Sequence, residues 1–125
     1  MATDTVTVET LQQVLDAFNR HDLDAIMLCF AEDAVLEAPR GPDPEGTRYV
    51  GKAAVREGLA GRFAGIPDVH YSEDRHMVCG NRGVSEWLLT GTTTMGEHIE
   101  VRGCDLFEFR DGLIVRKDSY WKIAG

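Results

Sequence analysis

Four side chains in the second half of the chain, Glu86, Asp105, Lys117 and Ser119, interrupt stretches in which alternate positions are otherwise largely apolar. Polar groups on such a strand face need a partner or a purpose. Asp105 and Lys117 have the make-up of a proton-transfer pair: removal from water pushes each toward its neutral form, while their mutual attraction opposes that push. The same two residues would equally make a structural salt bridge that anchors a sheet. Glu86, the lone carboxylate among Val84, Leu88 and Thr90, suits a general base beside Lys117, or a charge at the rim of a cavity. Phe107 alternates with Asp105, and Trp121 with Lys117 and Ser119, which adds an aromatic lining suited to a flat apolar ligand.

The remaining reactive residue types are not arranged for chemistry. His21, His70, His76 and His98 show no metal-ligand spacing, and no acidic calcium loop or cofactor motif is present, so neither metal nor cofactor is expected. Cys29, Cys79 and Cys104 are odd in number and widely spaced, as in a protein of a reducing compartment. Cys104 falls on the strand face opposite to Asp105 and has no base beside it, which argues against a nucleophile. Thirteen basic against 21 acidic residues leave a net charge of −8, which disfavours nucleic acid and anionic membranes as partners. The first nine residues carry Asp4 and Glu9 and lack the basic and apolar regions of a secretory signal, so the expected location is the cytoplasm.

These residues must be positioned by the elements around them. The 125 residues, 43% of them hydrophobic, suit one domain spanning residues 1–125, and no apolar run approaches the ~18 residues of a membrane helix. Leu11, Val14, Leu15 and Phe18 recur at i, i+3, i+4, i+7 and predict a helix over about 8–20. Asp22 can cap a second helix, in which Leu23, Ile26, Met27 and Phe30 repeat the spacing. Residues 34–37 read as a short strand. A loop follows, since five of the eight residues from Pro39 to Gly46 are Pro or Gly. Val55, Leu59, Phe63 and Ile66 predict a third helix, stopped by Pro67. Beyond it the period changes to two, predicting a four-strand antiparallel meander over 69–78, 84–93, 99–109 and 113–122.

Register decides which side chains meet. A two-residue Asp111-Gly112 turn would set Asp105 against Asp118 and Phe107 beside Arg116. A three-residue Arg110-Asp111-Gly112 loop instead pairs Phe109 with Leu113, Phe107 with Val115 and Asp105 with Lys117, keeping the aromatic residues on one face, and is preferred. The other face then carries Arg102, Leu106, Glu108, Ile114, Arg116, Asp118 and Tyr120, a mixture typical of a dimer interface.

The chain resembles the nuclear transport factor 2-like superfamily, in its SnoaL-like and ketosteroid isomerase-like branch. The likeness rests on Asn19-Arg20-His21-Asp22-Leu23-Asp24-Ala25-Ile26, on Phe30-Ala31-Glu32-Asp33-Ala34 with Glu37-Ala38-Pro39, and on the stretch from Gly103 to Ile114. It implies an α+β fold, a cone-shaped roll of curved antiparallel sheet covered by three N-terminal helices. It also implies that Asp105 stands where ketosteroid isomerases keep a protonated Asp. Their general base falls on Ala38 and their oxyanion-hole Tyr on Val14, which argues against steroid isomerisation by that route. Limonene epoxide hydrolases carry an Arg-x-Asp pair at Glu86 and Leu88, and they and the SnoaL cyclases place an acid at Ser119.

The expected function is cofactor-free proton transfer of isomerase, cyclase, dehydratase or hydrolase type, on an apolar carbonyl or hydroxyl compound. Asp105, Lys117 and Glu86 are the expected catalytic residues, and Trp121, Ser119, Phe107, Leu88, Val14 and Ala38 the expected ligand contacts. A ligand-binding protein without chemistry and a dimeric interaction module are the alternatives. A homodimer through the sheet is expected in each case.

Overall fold

The computed structural model describes residues 5–123. Helix α1, Val8–Asn19, starts at Thr7, whose side chain accepts from the Thr10 amide while the Thr10 hydroxyl accepts from the Thr7 amide. Its buried stripe is Leu11, Val14, Leu15, Ala17 and Phe18. The chain turns at His21, which has φ 55° and whose Nε2 lies 2.6 Å from the Val69 carbonyl oxygen, before α2, Leu23–Met27, capped by Asp22. Strand β1, Phe30–Glu37, and the short β2, Arg48–Val50, precede α3, Lys52–Gly65. Strands β3, His70–Cys79, β4, Arg82–Thr92, β5, His98–Arg110, and β6, Leu113–Trp121, complete the chain.

All six strands lie in one curved, unclosed sheet of order β2-β1-β6-β5-β4-β3. The expected meander is its larger half. Strand β1 adds to it by running parallel to β6, with Val35 beside Arg116 and Leu36 beside Lys117, and β2 pairs antiparallel beyond it. The helices supply the other wall of the core, in which Phe30, Ile26, Val55, Leu89 and Ile114 are completely or almost completely buried. Asn19, at the end of α1, seals the sheet's edge: its amide donates to the Tyr71 carbonyl (2.9 Å) and its oxygen accepts from the Tyr71 amide (2.8 Å). At Tyr71 the edge strand β3 is thereby paired without a neighbouring strand.

The β5–β6 hairpin corrects the expected register. Asp111 and Gly112 both have positive φ (53° and 79°) and form a two-residue turn, with Arg110 opposite Leu113 and Phe109 opposite Ile114. A bulge follows, so that Glu108 faces Arg116, Phe107 faces Lys117 and Asp105 faces Ser119. Asp105 is therefore not opposite Lys117 in the ladder. Before the bulge the parity is also reversed: Ile114, expected on the outer face, is fully buried, and Leu113 is 38% exposed.

Candidate functional site

The bulge returns Lys117, Ser119 and Trp121 to the face that carries Asp105, Phe107 and Phe109. Asp105 is 4% exposed and is held by three donors. Its Oδ1 accepts from the Ser119 hydroxyl (2.6 Å) and from Lys117 Nζ (3.0 Å), and its Oδ2 accepts from Trp87 Nε1 (3.0 Å). Lys117 Nζ also donates to Ser119 Oγ (3.0 Å) and lies 5.1 Å from the centre of the Phe18 ring. An ammonium has three donors, so one N–H of Lys117 stays available to a ligand.

Trp87 was not anticipated, because β4 carries apolar residues on both faces. Its inward set is Gly83, Ser85, Trp87 and Leu89, each opposite an inward residue or glycine of β5. Trp87 pairs with Gly103, and a Cβ there would stand 2.7 Å from the indole, so glycine is required for the ring to lie across β5. Tyr71 meets Trp87 edge to face, with centroids 5.0 Å apart. Burial, with the Asp105 charge added to it, pushes the Tyr71 hydroxyl well above its ordinary range against the opposing pull of Arg62, which keeps it a neutral phenol.

Two spaces divide the expected ligand contacts. A cleft of about 360 Å³ between α3 and the sheet is lined by Ala38, Lys117, Ser119 and Trp121, together with Phe18, Tyr49, Arg62, Tyr71 and Trp87. Val14 and Phe107 do not line it. They border a void of about 10 Å³ under α1, which Asp105, Lys117 and Ser85 also line. Lys117 thus borders both spaces, whereas Asp105 borders only the inner one.

Glu86 and Leu88 face away from this group, contrary to expectation. Glu86 has a side chain 53% exposed and lies 3.7 Å from Arg75, so it is solvated on the outer face and cannot serve Lys117. Leu88 lies beside Ser72 and Arg102 on that same face. The alternation did not place them, because the run Ser85, Trp87, Leu89 and Gly91 alternates as cleanly as the set that includes Glu86.

Two further polar groups flank the site. His76 Nδ1 shares a hydrogen bond with Ser85 Oγ (2.8 Å), and its Nε2 shares one with Asp74 Oδ2 (2.9 Å). Burial pushes the Asp74 carboxyl up, but hydrogen bonds from His76 and the backbone outweigh it and hold it below the usual range. Toward the β1 side, Glu37 is 3% exposed and accepts from Arg48 Nε (3.0 Å) and from Arg116 Nε and Nη2 (2.9 and 2.7 Å). Nearby Asp118 is raised, chiefly by burial and further by Glu37, against the Tyr120 hydroxyl and Arg116. Among the described residues no cluster of His, Cys, Asp and Glu could hold a metal ion, and no helix is long and apolar enough to cross a membrane.

The SnoaL-like domain family matches residues 11–117, which include every strand and helix that builds the cleft up to Lys117. The chain belongs to the SnoaL-like family. Solved structures agree with that membership. A candidate polyketide cyclase from Xanthomonas campestris pv. campestris is 25% identical, over 91% of this chain and 88% of its own, with a TM-score of 0.81. One from Pseudomonas putida is 19% identical over 98% and 94%, with a TM-score of 0.83, and shares the fold. An NTF2-like protein of unknown function from Mesorhizobium loti is 30% identical over 92% and 89%, with a TM-score of 0.74. None of the curated proteins matches this SnoaL-like chain.

Proposed function

We propose that this SnoaL-like protein is a cofactor-free enzyme that moves protons on a small apolar carbonyl or hydroxyl compound held in the cleft, in an isomerase-, cyclase-, dehydratase- or hydrolase-type reaction. The observation that carries this reading is the Lys117 ammonium, 6% exposed, fixed by Asp105 and Ser119 with one N–H left for a ligand. A carbonyl oxygen placed against it gains negative charge during enolisation or addition, and a fixed cation in a dry site stabilises that charge. Ser119 supplies the complementary step. A substrate hydroxyl that donates to Ser119 Oγ loses its proton as Ser119 passes its own to Asp105 Oδ1 along the 2.6 Å hydrogen bond. The cyclase option has the support of the candidate polyketide cyclases among the similar structures.

A second reading, a binding protein without chemistry, is favoured by the fact that both Asp105 oxygens are already occupied by donors. Purified protein incubated with polycyclic ketones, hydroxy-arenes, steroids, terpenes and lactones, and followed by mass spectrometry, separates the two. Turnover lost in Lys117→Met and Asp105→Asn that circular dichroism shows to be folded supports the enzyme. Saturable binding with unchanged compounds supports the binding protein and overturns the catalytic reading.

The three free thiols, Cys29, Cys79 and Cys104, fit a cytoplasmic location, and the outer sheet face fits a homodimer.

A further inference from the structure

The charge inventory of the cleft singles out one residue. Seven of the arginines, at positions 48, 56, 75, 82, 102, 110 and 116, lie within ion-pair distance of a carboxylate. Among the described residues Arg62 has no such partner. It is half-buried in the last turn of α3, lines the cleft, and places its guanidinium carbon 4.6 Å from the centre of the Trp121 ring. Arg40, exposed and likewise without an ion-pair partner, approaches the same ring at 6.0 Å. Two guanidiniums without carboxylates thus converge on one indole that lines the cleft.

The balance of charge inside the cleft sharpens the point. Lys117 is cancelled by Asp105, and Tyr71 is a neutral phenol, so Arg62 is the uncompensated charge of the interior wall. Glu57 also lines the cleft but is exposed and forms no ion pair with Arg62. Space is available in the cleft of about 360 Å³ that Arg62 and Trp121 both line. A half-buried guanidinium held over an indole face by a cation–π contact, with no carboxylate on it, has N–H groups left to receive a carboxylate.

We propose that the cleft is built for a flat organic acid whose carboxylate is bound by Arg62 over Trp121, with Arg40 assisting from solvent, while its carbonyl or hydroxyl group engages Lys117 and Ser119. This rests on the proposed cleft function and adds the substrate's charge class. It also accounts for an anion being taken up by a protein of net charge −8, since attraction at short range inside a low-dielectric cleft outweighs a screened surface field.

Isothermal titration of 2-naphthoate and 2-naphthamide, and of indole-3-acetate and its amide, against the wild type, Arg62→Gln, Arg62→Lys and Arg40→Gln tests it. Circular dichroism confirms that each variant is folded. The expected result is that each acid binds the wild type at least about tenfold more tightly than its amide, as a charge-assisted pair requires. Arg62→Gln removes that preference, Arg62→Lys keeps part of it, and Arg40→Gln reduces it less than Arg62→Gln does. Equal binding of acid and amide by the wild type, or an acid preference that survives in Arg62→Gln, overturns the carboxylate site and leaves the cleft reading standing. No binding of any of the four compounds overturns both.

Discussion

Ser119 stands directly across the β5–β6 ladder from Asp105 and donates its hydroxyl to the carboxylate at 2.6 Å, while accepting from the Lys117 ammonium at 3.0 Å. The hydroxyl is thus a relay between the two charges, and the three residues form a closed triangle of hydrogen bonds. Removing a corner exposes the other two to different penalties, which makes the cluster separable by mutation.

Asp105→Asn leaves the buried Lys117 without its counter-charge. The expected loss of stability is about 3–5 kcal/mol, because breaking one side of a buried pair strands the other charge. Asp105→Asn/Lys117→Met should recover much of it. Urea unfolding followed by circular dichroism measures both. A single variant as stable as the wild type would mean that the pair is solvated in solution.

Trp87→Phe keeps an aromatic ring against Tyr71 but withdraws the one donor to Asp105 Oδ2. A lost bond to a buried charged group costs about 1–3 kcal/mol. Thermal unfolding is the readout, and intrinsic fluorescence of the variant reports Trp121 alone, since the chain has two tryptophans.

Asp118 gives a pH signature of the opposite sense to a salt-bridged acid. Its folded-state carboxyl is raised by burial and by Glu37, so its ionisation opposes folding at pH 7. That penalty fades as the pH falls through the raised value, and is absent once the unfolded carboxyl is protonated as well. Asp118→Asn should therefore raise the melting temperature at pH 7 and leave it nearly unchanged near pH 3. A lower melting temperature at pH 7 would show that its contact with Arg116 outweighs burial.

On the outer face, Leu106 and Tyr120 are 40% and 53% exposed, and Tyr120 lines a groove of about 590 Å³ together with Arg102 and Cys104. Such a surface suits a second copy of the chain. Light scattering at micromolar concentration should give twice the mass of one chain, and Leu106→Glu should halve it. A monomeric wild type at that concentration would remove the dimer.

Helices α1 and α3 and the inward triad were legible in the sequence because they depend on period alone, whereas the same spacing carried the second helix on to Phe30, which instead opens β1. Beyond the bulge the observed β5–β6 register differs from the expected one by two residues along β6, and with a side-chain period of two the same residues, Lys117, Ser119 and Trp121, still face Asp105. Where period was ambiguous the reading failed. Strand β4 carries Val84 and Leu88 on one face and Trp87 and Leu89 on the other, so hydrophobicity could not choose between Glu86 and Trp87. Neither the β1–β6 pairing nor the bulge next to Ile114 leaves a local pattern, and the three residues of β2 are too few to show one.

The parallel contact between β1 and β6 separates two stages of assembly. Asp105, Ser119 and Lys117 belong to one hairpin, with Trp87 on the adjoining strand, so local chain closure alone brings the charged pair together. Its cover comes from far away in the chain: Phe18 arrives with α1, which packs on β3, and Ala38 and Tyr49 arrive with β1 and β2 when β1 docks beside β6, across sequence distances that make such closure slow. The hairpin's own residues hold the two charges together, and the segments that exclude water from them are distant in the chain, so the desolvation penalty belongs to long-range docking and not to hairpin closure. Transient release of the N-terminal half would rehydrate an intact ion pair, opening the cleft to exchange without dismantling its chemistry.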